Sequence, residues 1–247
     1  MTRRKVIVVL PTFNEAENIE PLIDALYGLR VRGLEALVVD DSSPDGTSDI
    51  VERIIGEGRH PGLRLLTRAG LPGRGWAGRE GFMEALMLGA DFVVEMDADF
   101  SHQPRHVPEL LAAMKDCDAA VGSRFVPGGA DQDRGLLRRL ITRAATAFAR
   151  RALGLKVLDC NSGFRCFSRL ALETIEPETL KSRGPSIVHE VLVRLLDAGL
   201  AVKEVPIEFV DRRKGDSKLD FGRLLAGYWW VLKARFSRRP RPSSLGR

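Results

Sequence analysis

Cysteine is scarce in this chain of 247 residues. Cys117, Cys160 and Cys166 are the only three, and none are spaced as CxxC. An odd count without that spacing excludes a disulfide framework and a structural zinc site, so the thiols are expected to be inert in a reducing compartment. Long apolar runs are also missing. No stretch approaches the roughly 18 apolar residues that span a bilayer, and Val6 to Leu10 is too short for the hydrophobic region of a signal peptide. The protein is therefore expected to be soluble or to bind a membrane from one side. The dinucleotide glycine fingerprint is absent, because Gly70-Leu71-Pro72-Gly73-Arg74-Gly75 does not fit GxGxxG, and this argues against a dehydrogenase. P-loop, HExxH and GxSxG patterns are absent as well. There are no repeats, and no linker is long enough to separate a pair of domains.

What the chain does have is basic charge at both ends. The formal net charge is +5, with Arg3, Arg4 and Lys5 at the start and Lys233, Arg235, Arg238, Arg239, Arg241 and Arg247 at the close. Such a balance suits phosphorylated substrates, anionic lipid or nucleic acid. Between the ends, short apolar runs alternate with helical periodicity. Lys5 to Leu10, Ala36 to Val39, Leu63 to Thr67, Phe92 to Met96 and Ala119 to Val121 read as strands. Helices are expected after Asn14 (with Ile19, Leu22, Ile23 and Leu26 on one face), over Thr47 to Ile55, Phe82 to Leu88, Val107 to Met114, Gly135 to Leu153 and Ile187 to Leu196. The glycine-rich stretch Leu71 to Gly81 reads as a loop. Asn161 to Phe167 reads as a loop and short strand, and Val202 to Val210 as an edge strand bearing Pro206. This alternation indicates an α/β fold with a parallel sheet.

Ligands of open parallel sheets bind at the carboxyl ends of the strands, and here those ends are acidic. Asp97-Ala98-Asp99 leaves the run Phe92 to Met96. Two carboxylates one residue apart offer oxygens to one hard divalent cation, Mg²⁺ or Mn²⁺, which keeps positions open for substrate phosphates. Such a metal neutralises a diphosphate leaving group. A lone DxD is more often a solvated turn; its place after a buried strand favours the site. Asp40-Asp41 ends another run and suits ribose or base N–H groups, while Pro44-Asp45-Gly46 is turn chemistry with Thr47 or Ser48 as a helix cap.

The order Pro-Thr-Phe-Asn-Glu (residues 11–15), Asp-Asp-Ser-Ser-Pro-Asp-Gly-Thr (40–47) and Asp-Ala-Asp-Phe-Ser-His (97–102) resembles the family 2 glycosyltransferases, and within them the polyprenol-phosphate (dolichol-phosphate) mannose synthases. Ser162-Gly163-Phe164-Arg165, Val210-Asp211-Arg212 and Gly215-Asp216-Ser217-Lys218 match that subgroup too, so the resemblance covers about residues 5 to 220. It implies a single GT-A type nucleotide-binding domain with a mostly parallel, mixed sheet flanked by helices. It implies inverting transfer of mannose from GDP-mannose to a polyprenyl phosphate. By motif position, Pro11, Phe13 and Glu15 resemble a portion of the nucleotide pocket; relatives often have Tyr where Phe13 stands, so stacking is kept and a hydroxyl lost. Val39 and Asp41 match base and ribose contacts. Asp97, Ala98 and Asp99 match the metal and diphosphate site, with Ser101 near the metal. Arg124, Arg212 and Lys218 match phosphate ligands, and Asp99 and Arg212 are the residues expected to carry catalysis. The chain departs from its relatives at Gly75-Trp76-Ala77-Gly78-Arg79, where they resemble Leu-Gly-x-Ala, and the departure concerns the geometry of that loop.

The remaining candidates are plainer. His102 and His106 are four apart and share a face if helical, but no third zinc ligand is evident; His102 is expected near the site as a neutral donor. His189-Glu190 reads as an ordinary helix surface, with Glu190 facing the acceptor as the alternative, and Trp76 reads as packing. Residues 1–220 are expected to form the catalytic domain, and 221–247 an amphipathic helix with a basic tail. Phe221 to Phe236, with Tyr228, Trp229 and Trp230, has two readings: an interfacial helix delivering the site to a lipid acceptor, or a helix packed on the core. Either the tail or a membrane-anchoring subunit is expected to hold the protein peripherally on the cytoplasmic face of a membrane. Two rival functions stand beside the main one. A polyprenol-phosphate glucosyltransferase using UDP-glucose keeps the same mechanism. A non-catalytic protein binding membrane or nucleic acid fits the basic charge, but acidic strand ends repel phosphate backbones, so nucleic acid is not expected as a partner.

Overall fold

The computed structural model describes residues 4–132 and 136–210. Arg212, Lys218 and the segment Phe221 to Phe236 lie outside the described residues. The first half runs β1 (Val6–Thr12), α1 (Ile19–Gly28), β2 (Leu34–Asp40), α2 (Thr47–Gly56), β3 (Arg64–Thr67), α3 (Arg74–Met87) and β4 (Phe92–Glu95). A short 3-10 turn (Pro104–His106), α4 (Val107–Ala113), β5 (Ala119–Ser123), β6 (Ala130–Gln132) and α5 (Leu136–Leu153) follow. The chain then forms β7 (Arg165–Ser168), α6 (Arg169–Ile175), α7 (Ile187–Asp197), β8 (Val202–Pro206) and β9 (Glu208–Val210). Among the described residues, no helix is long and apolar enough to cross a membrane.

The main sheet has seven strands in the order β3-β2-β1-β4-β7-β5-β8, and β6 pairs with β9 beside it. Among these described strands only β7 runs against its neighbours, pairing antiparallel with both β4 and β5. The carboxyl ends of the other strands therefore share one edge, and the start of β7 joins them there. Pro11 continues β1 beyond Leu10 without cost, because pairing with β4 stops at Val9 and no ladder hydrogen bond is lost on that side. β8 is an edge strand, as Pro206 predicts.

The β-branched runs make strands because both faces are covered. Along β1, Ile7 and Val9 enter one apolar cluster while Val6, Val8 and Leu10 enter the other. Successive side chains point to opposite faces, so one short run serves two cores. α1 buries Ile19, Leu22, Ile23 and Leu26, the stripe that the helical spacing predicts. Its N-cap is Asn18 rather than Asn14, which instead sits in the left-handed region at φ 60°. α2 likewise begins after Gly46.

The glycine-rich stretch is not a loop: α3 begins at Arg74 and runs through it. The glycines let the helix approach its neighbours. A Cβ at Gly81 would stand 2.4 Å from Val9 Cγ1, and one at Gly75 would stand 2.1 Å from the Ser182 carbonyl oxygen. Close packing outweighs the roughly 1 kcal/mol that each glycine costs a helix relative to alanine. Trp76 packs as expected, under the Arg79 guanidinium at 4.7 Å.

Candidate active site

Three loops leave the shared edge after β1, β2 and β4, and each carries a non-glycine residue in the left-handed region: Asn14 (φ 60°), Ser42 (φ 54°) and Phe100 (φ 59°). Each such residue costs about 1–2 kcal/mol, least for Asn, and persists where surrounding contacts fix the loop. Those contacts come largely from the acids. Asp40, fully buried, accepts hydrogen bonds from the Ser43 N–H (2.9 Å) and from the Ser43, Ser48 and Thr12 hydroxyls (2.6, 2.8 and 3.0 Å). Asp45 accepts from the Thr47 hydroxyl (2.6 Å) and the Ala16 N–H (2.9 Å). Burial raises its pKa, but these bonds and the one from the Thr47 N–H prevail and hold it below the usual value. The loops after β1 and β2 are thus stitched together, with Glu15 N–H on the Thr47 hydroxyl and Asn14 N–H on the Ser43 hydroxyl.

Asp41 and Asp97 are joined by the first turn of α3. Asp41 accepts from the Gly73 N–H at 2.7 Å and pairs with the buried Arg68 guanidinium. The next residue, Arg74, reaches Asp97 Oδ1 with Nε and Nη2 (3.1 and 3.0 Å) and Glu95 Oε1 with Nη1 (3.3 Å). Burial alone would lower the Arg74 pKa; Asp97, Glu95 and Asp99 around it raise it further above its ordinary value. Burial raises the pKa of Glu95, which is 2% exposed, against the pull of Arg74 and Arg165. The Asp97 side chain stays 29% exposed at the edge. Asp99 accepts the Ser101 N–H at 3.0 Å, and Ser101 is buried. Ala98 is buried in the core between the two acids.

The other expected residues are distributed around this edge. Phe13 is 45% exposed, as a stacking platform requires. Pro11 is half-buried, and Glu15 accepts from Asn18 Nδ2 at 2.8 Å. The Val39 side chain lies wholly in the core, which leaves its backbone for any base contact. Arg124 follows β5 and is buried against Asp159, giving two bonds from its side chain (2.7 and 2.8 Å) and one from its backbone N–H (3.1 Å). Its guanidinium also lies 4.9 Å from the Phe209 ring centroid.

Three expectations for histidines and acids change. His102 and His106 do not share a helix face: His102 forms an isolated bridge with Phe209, and His106 ends the 3-10 turn, bonded to Glu109 at 2.6 Å. His102 is buried, and burial depresses its pKa. It is neutral, but its Nδ1 accepts the Asp97 N–H at 3.0 Å, so at that nitrogen it is an acceptor that fixes the strand end. His189 and Glu190 are not surface residues, being only 4% and 6% exposed. Sequence reasoning missed Arg74 altogether, because a loop reading gave it no fixed direction. The thiols agree with their inert reading: all three cysteines are free, and burial pushes Cys160 up to about 12.

Among the described residues, no group of three or more His, Cys, Asp or Glu side chains is arranged to hold a metal by itself. The edge offers two carboxylates of one strand end, with cationic Arg74 and Arg124 on neighbouring elements, an arrangement suited to an anionic ligand that brings further oxygens.

Comparison with known proteins shows the family. Residues 7–176 match Glycosyl transferase family 2. The chain is 36% identical over 242 residues to the undecaprenyl-phosphate mannosyltransferase of Micrococcus luteus, covering 94% of this chain and 98% of that one. It is 32% identical over 240 residues to the polyprenol monophosphomannose synthase of Mycolicibacterium smegmatis, covering 95% and 90%. Among solved structures it resembles glucosyl-3-phosphoglycerate synthase from Mycobacterium tuberculosis in complex with Mn²⁺, UDP and glucosyl-3-phosphoglycerate. That match has a TM-score of 0.67 and 26% identity, and covers 98% of this chain and 82% of that one.

Proposed function

Because the chain belongs to glycosyl transferase family 2 and is a glycosyltransferase of GT-A fold, we propose that it transfers mannose from GDP-mannose to a polyprenyl phosphate with inversion. The products are polyprenyl-phosphate mannose and GDP. The observation that carries this reading is the partly exposed Asp97 beside Asp99 at the end of β4, in a chain whose relatives are polyprenol-phosphate mannosyltransferases.

Asp97 and Asp99, with Ser101 beside them, are the residues to hold Mg²⁺ or Mn²⁺. The donor set fits: Mg²⁺ characteristically takes one or two carboxylates and completes its shell with water and substrate phosphates. When bound, the ion neutralises the diphosphate leaving group. Phe13 stacks on the base, with Pro11 and Glu15 beside it. The Val39 backbone and Asp41 contact base and ribose. With its side chain in the core, Ala98 offers its backbone to the diphosphate, and Arg124, Arg212 and Lys218 bind phosphates. Arg suits bidentate phosphate recognition, which for Arg124 requires donors other than the two held by Asp159. The acceptor's second pKa is about 6, so at neutral pH it is already largely a dianion. One of its oxygens forms the new bond to the sugar's anomeric carbon as the bond to the diphosphate breaks on the opposite face. No strong general base is required, and positioning and charge stabilisation carry the rate. We place the enzyme on the cytoplasmic face of a membrane, held by its C-terminal segment or by a membrane-anchoring subunit, where its lipid acceptor resides.

The UDP-glucose alternative draws on the UDP in the solved neighbour, whereas the relatives of higher identity act on mannose. The test is transfer of radiolabelled sugar to a short polyprenyl phosphate with Mg²⁺, Mn²⁺ or EDTA. Metal-dependent label from GDP-mannose alone is expected. Label from UDP-glucose alone would change the donor and keep the mechanism.

A further inference from the structure

Arg74 makes contacts that the proposed reaction does not use. Two of its nitrogens hold Asp97 Oδ1 and a third reaches Glu95. The site is built around this guanidinium. A Cβ at Gly163 would stand 2.3 Å from Arg74 Nη2, so only glycine there leaves the guanidinium its place. The start of α3 is pinned on both sides of Arg74, by the Gly73 N–H on Asp41 and by the Gly75 N–H on the Arg183 carbonyl at 3.0 Å. The side chain is 21% exposed and lies on the same carboxylate that the reading above gives to the metal. A guanidinium on that oxygen both occupies it and repels a second cation.

We propose that Arg74 is a resident counter-cation of the β4 strand end, holding Asp97 until a divalent cation and the donor diphosphate arrive together. The metal alone must compete with Arg74 for Asp97, and a guanidinium moved off Asp97 keeps only Glu95 as a carboxylate partner. The diphosphate supplies another partner, since a guanidinium fork matches phosphate oxygens as it matches a carboxylate. Metal and nucleotide therefore bind cooperatively, and by linkage each tightens the other by the same factor. This inference rests on the donor and metal reading given above, and goes beyond it in assigning the coupling to one residue.

The test counts free Mn²⁺ by electron paramagnetic resonance in titrations of the full chain, with and without GDP and, in parallel, UDP. Arg74→Gln is expected to bind Mn²⁺ alone about tenfold more tightly than the unsubstituted chain, and to lose a similar factor from the enhancement by nucleotide. Gly163→Ala keeps the charge but drives the guanidinium off Asp97, and is expected to move both quantities in the same direction. It serves as the second probe if Arg74→Gln does not fold. A merely structural Arg74 would lower the melting temperature and leave metal affinity and its enhancement unchanged; that result overturns the proposal. If no chain binds Mn²⁺ with either nucleotide, the metal and donor reading itself fails, and the coupling with it.

Discussion

Two regions of this protein withdraw charge from water. At the end of β4, Asp97 and Asp99 lie against buried Glu95, Arg74 and neutral His102, yet Asp97 keeps more than a quarter of its side chain exposed. On α7, Glu190 and Arg194 are each only 6% exposed and form an i, i+4 pair at 2.7 Å. Glu190 takes the N–H groups of Lys181 and Ser182, and Arg194 gives to the carbonyls of Ile175 and Thr179. The α7 set closes on the segment that passes over it, and its partners belong to the fold. The β4 set stands at a strand edge where a ligand can supply partners. Burial of charge thus does not distinguish a site from a brace; what distinguishes them is whether the fold or a ligand completes the set.

The contrast breaks most readily at Glu190. Glu190→Ala leaves the buried Arg194 without its carboxylate, and removing one partner of such a pair costs about 3–5 kcal/mol. Urea unfolding should show that loss. Asp99→Ala should act the other way, lowering kcat/KM by on the order of 10²-fold or more, since the metal site carries several kcal/mol of charge stabilisation. Its stability cost is about 1 kcal/mol, the worth of the Ser101 hydrogen bond. If Glu190→Ala spared stability, or Asp99→Ala spared turnover while binding less Mn²⁺, the two regions would not differ as described.

Much of this was legible in the sequence, and the failures share a cause. β1, β2 and β4 announce themselves as short β-branched runs, and α1 by the spacing of Ile19, Leu22, Ile23 and Leu26, because those signals are local. The acids at strand ends follow from the topology of any parallel sheet. Helix α3 did not announce itself, since Gly75, Gly78 and Gly81 lower helix propensity, and the contacts that compensate come from Val9 and Ser182, far along the chain. Arg124 carries no local sign of Asp159, which lies 35 residues away. Glu190 and Arg194 at i, i+4 look like a solvated ion pair, and only residues 175–182 folded over them make them interior.

The smallest effect tests the closed region through pH. His189 donates from Nε2 to Asn161 Oδ1 at 2.8 Å, and burial, aided by Arg165, depresses its pKa from 6.5 to about 3. Above 6.5 the ring is neutral in both folded and unfolded chains, and pH does not act through it. Below that value the unfolded chain takes up a proton that the folded chain refuses until about pH 3. Stability is therefore full above the unfolded pKa and falls as pH drops, with a slope approaching about 1.4 kcal/mol per pH unit. His189→Gln keeps a donor for Asn161 and removes the titration, so urea midpoints measured from pH 7 down to about 4.5 should fall less steeply than in the unsubstituted chain. Asp99→Ala should leave that slope in place, because the causes that depress His189 are burial and Arg165, and Asp99 is not among them. Equal slopes in His189→Gln and the unsubstituted chain would mean that water reaches His189, and that the α7 region is open in the way the β4 end is.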